Sequence, residues 1–157
     1  MAKAGYSVAT GAAVALTGGT AKTVLFVVAP AQFGVDLKKW RVAFDGVTAT
    51  AVPALVEVCA LSAATNSTAG TNNTSATVTQ VYGRAITAGF TAGYNSTSEP
   101  TVLTVIDTVL MTPNGGVIVY DYPLGDTPDN DVSKGFAIRI NAPAAVNARA
   151  ALWFERC

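Results

Sequence analysis

Residues 135–156 read GFAIRINAPAAVNARAALWFER, and their alternation decides the fold class. In an extended chain Phe136, Ile138 and Ile140 fall on one face, with Arg139 and Asn141 on the other. Beyond Pro143 the pattern repeats: Val146, Ala148, Ala150, Leu152 and Phe154 share a face, with Asn147, Arg149 and Glu155 opposite. A period of two with one apolar and one polar face marks a half-buried strand.

The same reading extends outward. In KKWRVAFDG (38–46), Trp40, Val42 and Phe44 alternate with Lys39, Arg41 and Ala43. In TPNGGVIVYDYPLG (112–125), Pro113, Asn114, Gly115 and Gly116 form a turn signal. There Ile118, Tyr120 and Tyr122 share one face, Val117, Val119 and Asp121 take the other, and Pro123 stops the strand. TVLFVV (23–28) and TVLTVIDTVLM (101–111) are apolar on both faces, which suits strands in the middle of a sandwich or at a subunit contact. β-branched residues dominate the second of these and argue against a helix.

Strands are expected near 8–16, 22–29, 37–45, 54–62, 76–83, 101–112, 116–122, 134–142 and 146–156. Eight or nine strands at short spacing imply an all-β chain forming a single β-sandwich, jelly-roll-like in architecture. Residues 1–20, rich in Ala, Gly and Thr, read as an N-terminal arm or edge segment, with the sandwich domain over 21–157. The polar stretch 62–77 reads as an exposed loop.

Composition narrows the function. Ten basic and ten acidic residues balance, which disfavours nucleic acid as a partner. The one basic cluster, Lys38, Lys39 and Arg41 around Trp40, reads as a solvated face. Half of the residues are hydrophobic, but no apolar run approaches the ~20 residues of a spanning helix, so no membrane partner is expected. The N-terminal stretch lacks a sustained apolar core, and no signal peptide is expected. Cys59 reads as a small buried hydrophobe, and nothing in the spacing favours its pairing with Cys157.

The sequence contains no histidine, which removes Ser-His-Asp and Cys-His chemistry. GGTAKT (18–23) lacks the ending and glycine spacing of a phosphate-binding loop. Glu57, Glu99, Asp107 and Asp121 are the carboxylates in or beside strands, and a glycosidase would need two of them to converge. The acidic stretch 121–131, with Asp121, Asp126, Asp129, Asn130 and Asp131, is weighed for calcium but fits turn formation better. Asn66, Asn73 and Asn95 stand in N-x-S/T sequons, which carry meaning only for a chain secreted from a eukaryotic cell. No catalytic, cofactor-binding or metal-binding residue is assigned, and no cofactor is expected.

SEPTVLTVIDTVLMTPNGGVIVYDYPLG (98–125) and GFAIRINAPAAVNARAALWFERC (135–157) together resemble a group of small β-rich virion structural proteins of phages that infect actinobacteria. The likeness is one of strand and turn phrases, strongest over 98–157 and weaker over 35–60. It implies a non-enzymatic decoration (cement) protein that stabilises the capsid, made in the host cytoplasm and bound outside the major capsid protein. By the same analogy it implies a homotrimer. A tail or head-tail joining subunit is the alternative within the class. A carbohydrate-binding jelly roll is the alternative from another class, and requires several of Tyr82, Tyr94, Tyr120, Tyr122 and Trp153 on one face.

Overall fold

The computed structural model describes residues 4–45, 52–62, 72–114 and 116–157. Among them there is no helix, and thirteen strands form two antiparallel sheets packed face to face. The expected β-sandwich is met at that level, with more and shorter strands than the eight or nine anticipated.

The first sheet is built on β4 (Val35–Phe44) and β13 (Val146–Arg156), its two longest strands. Beside β4 lies β10 (Val117–Asp121); beside β13 lies β1 (Gly5–Ala9), and then β7 (Thr79–Tyr82). Two short strands extend it: β2 (Val14–Leu16) pairs with β13, and β11 (Asp129–Asn130) with β4. The second sheet runs β6 (Thr74–Ser75), β8 (Thr91–Tyr94), β3 (Ala21–Val28), β12 (Gly135–Asn141), β5 (Ala54–Leu61), β9 (Leu103–Met111).

The alternation works as the sequence implies. Trp40, Val42 and Phe44 of β4, Phe136, Ile138 and Ile140 of β12, and the five apolar residues of β13 are all buried in one core between the sheets. Burying each large apolar side chain contributes about 1.5–3 kcal/mol, which makes these three strands the centre of stability. Bulges at Val24 and Lys38 adjust the faces. An extra residue at Val24, opposite Ile138 and Arg139, keeps Val24 in the core while Thr23 turns to the outer face beside Arg139. An extra residue at Lys38, opposite Trp153 and Phe154, sets its ammonium against Asp36 at 2.6 Å and Glu155 at 3.4 Å.

Three expectations change. The segment 1–20 is not an arm in its described part, residues 4–20. β1 lies between β13 and β7, and Tyr6, Val8, Val14 and Leu16 are at most 3% exposed. Small neighbours such as Gly5 make room for this: the Tyr82 ring lies directly over its α-carbon. The stretch 62–77 falls partly outside the described residues (63–71), but Thr74–Ser75 pairs with β8 and ties down its end. TVLTVIDTVLM does not lie mid-sheet. It forms β9, an edge strand, whereas TVLFVV in β3 is interior and buried on both faces. Apolarity on both faces does not distinguish a covered strand from one at a contact surface. Of the turn signal at 113–116, Gly115 lies outside the described residues, and Phe44 N–H donates to the Gly116 carbonyl just beyond it.

Candidate interaction surface

Of the four carboxylates in or beside strands, Glu57 and Glu99 lie around one cation, and Asp121 and Asp107 stand elsewhere. Glu57 accepts from Arg139 Nε at 2.6 Å on the outer face of the second sheet, and this contact raises the Arg139 pKa. Glu99 accepts from the Thr23 amide at 2.5 Å and the Thr23 hydroxyl at 2.7 Å, which anchors the β8–β9 connection to β3. Thr23 and Glu57 are the neighbours of Arg139 across that face, so Glu57 and Glu99 approach the same guanidinium. Asp121 lies 3.4 Å from Lys39 on the first sheet. Asp107 sits on β9.

The acidic stretch 121–131 also resolves into turn chemistry. Asp126 N–H donates to the Pro123 carbonyl, and Gly125 between them has a φ of 98° that an L side chain adopts only with strain. Asp131 accepts from the Val132 amide, and the Asn130 amide donates to the carbonyls of Leu61 and Gly135. Among the described residues no three His, Cys, Asp or Glu side chains are grouped as metal ligands. A cleft of about 540 Å³ does lie here, lined by Gln32, Phe33, Asp129, Asp131 and Cys157 among others. Its walls carry backbone and turn residues, with no convergent reactive pair.

Cys59 is buried, and burial pushes its thiol up to about 11. Cys157 is exposed at the end of the chain, and the two are not bridged. Of the sequon residues, Asn66 lies outside the described residues, Asn73 packs against Gly93, and Asn95 occupies a turn with φ of 56°.

The aromatic residues divide between surfaces. On the outer face of the first sheet Trp153 is flanked by Lys39 and Arg41, at 5.4 and 5.6 Å from the ring centre. Tyr82, on the same face, donates to Glu155. Burial, together with Glu155, raises the Tyr82 phenol to about 12. Tyr120 and Tyr122 lie on the inner face, where Tyr120 stacks on Trp40 at 6.1 Å and meets Tyr122 edge-on at 5.0 Å. Tyr122 is raised to about 12 by burial and by the Asp107 charge, with the nearby Trp40 indole offsetting part of this. Tyr94 belongs to the other sheet. Only Tyr82 and Trp153 of the five share an outer face.

What the fold does gather is exposed apolar surface. β9 and β10 are the end strands of the two sheets, and residues 112–116 join them. Both edges therefore lie along one side of the sandwich. Of the eleven exposed large hydrophobic residues among the described residues, seven lie on this side or just after it: Val105, Ile106, Leu110, Val117, Val119, Tyr120 and Leu124. Leu124 is fully exposed, Leu110 is 66% exposed and Val117 63%. The extra residue at Ile106, a bulge opposite Val58 and Cys59, turns another apolar side chain outward. Beneath this rim, Met111 and the half-buried Val109, Ile118 and Tyr122 close the core. Scattered apolar residues are normal on a protein surface, but their concentration on two unpaired edge strands makes this side a candidate association surface. The sequence supplied these residues without showing that two distant sheets end on the same side.

Compared with known proteins, the chain matches no family model, no curated protein and no solved structure.

Proposed function

We propose that this chain is a non-enzymatic structural protein of a phage particle, in its most specific form a decoration protein bound to the outside of the major capsid shell. The observation that carries the reading is the apolar side formed by β9 and β10, on a sandwich whose carboxylates Glu57, Glu99 and Asp121 serve in ion pairs and backbone anchoring. Such a surface supports a protein that works by association. The phage assignment rests on the resemblance over 98–157, and threefold self-association belongs to the same proposal by the same analogy. The glycan-binding alternative draws less support, because only Tyr82 and Trp153 share an outer face and Trp153 is flanked by two cations. Mass spectrometry of purified particles tests the assignment: the chain should be present in fixed proportion to the shell protein, and its absence overturns the reading.

A further inference from the structure

Residues 77–90 make an excursion between the sheets whose two ends lie side by side. The chain leaves the second sheet after β6, where Thr74 and Ser75 pair with Tyr94 and Gly93 and the Ala76 amide donates to the Ala92 carbonyl at 3.0 Å. It crosses to the first sheet, adds β7 beside β1, and returns to the second sheet as β8. A surface loop with adjoining ends can move about them without pulling on the strands it joins.

None of residues 77–90 is fully buried, whereas β1 beside them holds Tyr6 and Val8 in the core. Val78, Ile86, Ala88 and Phe90 rest half-buried against that core. Polar contacts dock the excursion on the first sheet. The Tyr82 hydroxyl donates to Glu155, the Tyr6 hydroxyl donates to the Ile86 carbonyl at 3.2 Å, and Arg156 Nη2 donates to the carbonyls of Thr87 and Ala88. Within the excursion, Gln80 braces the tip. Its Nε2 donates to the Tyr82 and Arg84 carbonyls at 3.1 and 2.6 Å, and its Oε1 accepts from the Ile86 amide at 3.2 Å. The brace ties β7 to the returning limb, so the two leave the first sheet together. Segments with little buried apolar surface open at a fraction of the cost of global unfolding.

We infer that residues 77–90 form a flap hinged on β6 and β8, which swings off the first sheet as one piece while the sandwich stays folded. Opening frees the backbone of Gly5, Tyr6 and Ser7 along the β7 side of β1 and leaves β1 paired with β13. A strand edge that is covered in the closed protein thereby becomes available for pairing. The motion does not depend on the particle assignment.

Amide hydrogen exchange of the folded chain, resolved by residue, tests it. The β7 amides that bond to β1 should exchange roughly tenfold or more faster than the interior amides of β12. Arg156→Met removes the docking bonds to Thr87 and Ala88 on the returning limb, and should speed exchange in β7 by about tenfold. The Ala76 amide, on the hinge, should keep its rate. Ser7 and Thr79 lie directly opposite one another on β1 and β7. In a Cys157→Ser background, a disulfide between Ser7→Cys and Thr79→Cys should hold the flap shut and slow exchange throughout β7, with reduction restoring it. Exchange in β7 as slow as in β12 overturns the inference. So does an Arg156→Met chain with unchanged β7 rates, an Ala76 amide that exchanges in step with β7, or a disulfide that leaves β7 exchange as fast as before.

Discussion

Replacing Tyr6 by alanine tests whether the N-terminal segment belongs to the core. Tyr6 is 1% exposed, its ring lies 5.6 Å from Phe90 and 6.1 Å from Phe154, and its hydroxyl donates to the Ile86 carbonyl at 3.2 Å. Truncating a buried aromatic to alanine costs about 3–5 kcal/mol through lost transfer energy and the cavity left behind. The hydroxyl adds about 1 kcal/mol as a net hydrogen bond. A total of about 4–6 kcal/mol is a large part of the 5–15 kcal/mol that holds a typical domain together. It corresponds to a fall in Tm of about 8–24 °C for a chain of this size. Tyr6→Phe removes only the hydroxyl and should cost about 1 kcal/mol, which separates packing from hydrogen bonding. Urea titration followed by tryptophan fluorescence in a Trp153→Phe background measures both, because the remaining Trp40 is fully buried and reports loss of the core. An exposed arm would tolerate Tyr6→Ala within about 0.5 kcal/mol. That result would refute the placement of β1 between β13 and β7.

Gly135→Ala should destabilise the fold by about 2–3 kcal/mol, since a β-carbon there would collide with the Val27 carbonyl and the Val28 α-carbon, both fixed backbone. A chemical melt that leaves stability unchanged would mean β12 and β3 are farther apart. At mildly alkaline pH a maleimide should modify Cys157 quickly and Cys59 only on unfolding, because Cys59 is buried with its thiol raised to about 11. Equal rates in the native state would contradict that burial. Tyr82 and Tyr122, raised from 10.0 to about 12, keep their protons more tightly when folded than when unfolded. Their contribution to stability is therefore complete below pH 10 and lost as pH rises toward about 12. An ultraviolet titration in which all five tyrosines ionise together near pH 10 would contradict it.

How far the fold is legible in the sequence depends on the strand. In β4, β12 and β13 each face is uniform, so alternation assigns Trp40, Phe136 and Leu152 to the core directly. The short strands β6, β8 and β11 are not marked by periodicity, because runs of two to four residues (TS, TAGY and DN) are too short to carry a period. β8 depends on a non-local fit, with Gly93 beneath the Asn73 side chain and the Phe26 ring. In β1, Tyr6 and Val8 do alternate, but the Ala, Gly and Thr around them suggested an arm. Small residues serve close packing equally well, and only the partner strand distinguishes the two.

The interaction side was legible in composition and not in place. TVLTVIDTVLM announced a strand needing cover on both faces. That strand turned out to end its sheet, because β5 takes one flank and nothing among the described residues pairs with the other. Edge position follows from strand order, which periodicity does not encode. The carboxylates show the same limit from the other side. Glu57 and Glu99 lie forty-two positions apart in the sequence, yet both approach Arg139, contributed by a third segment.

The most direct test of an assembly role is add-back to shells that lack the native protein. The purified chain should co-sediment with such shells and saturate at a fixed ratio to the shell protein, and bound shells should resist heating better than bare ones. A folded chain that stays in the supernatant at every concentration, with shell stability unchanged, would contradict the account.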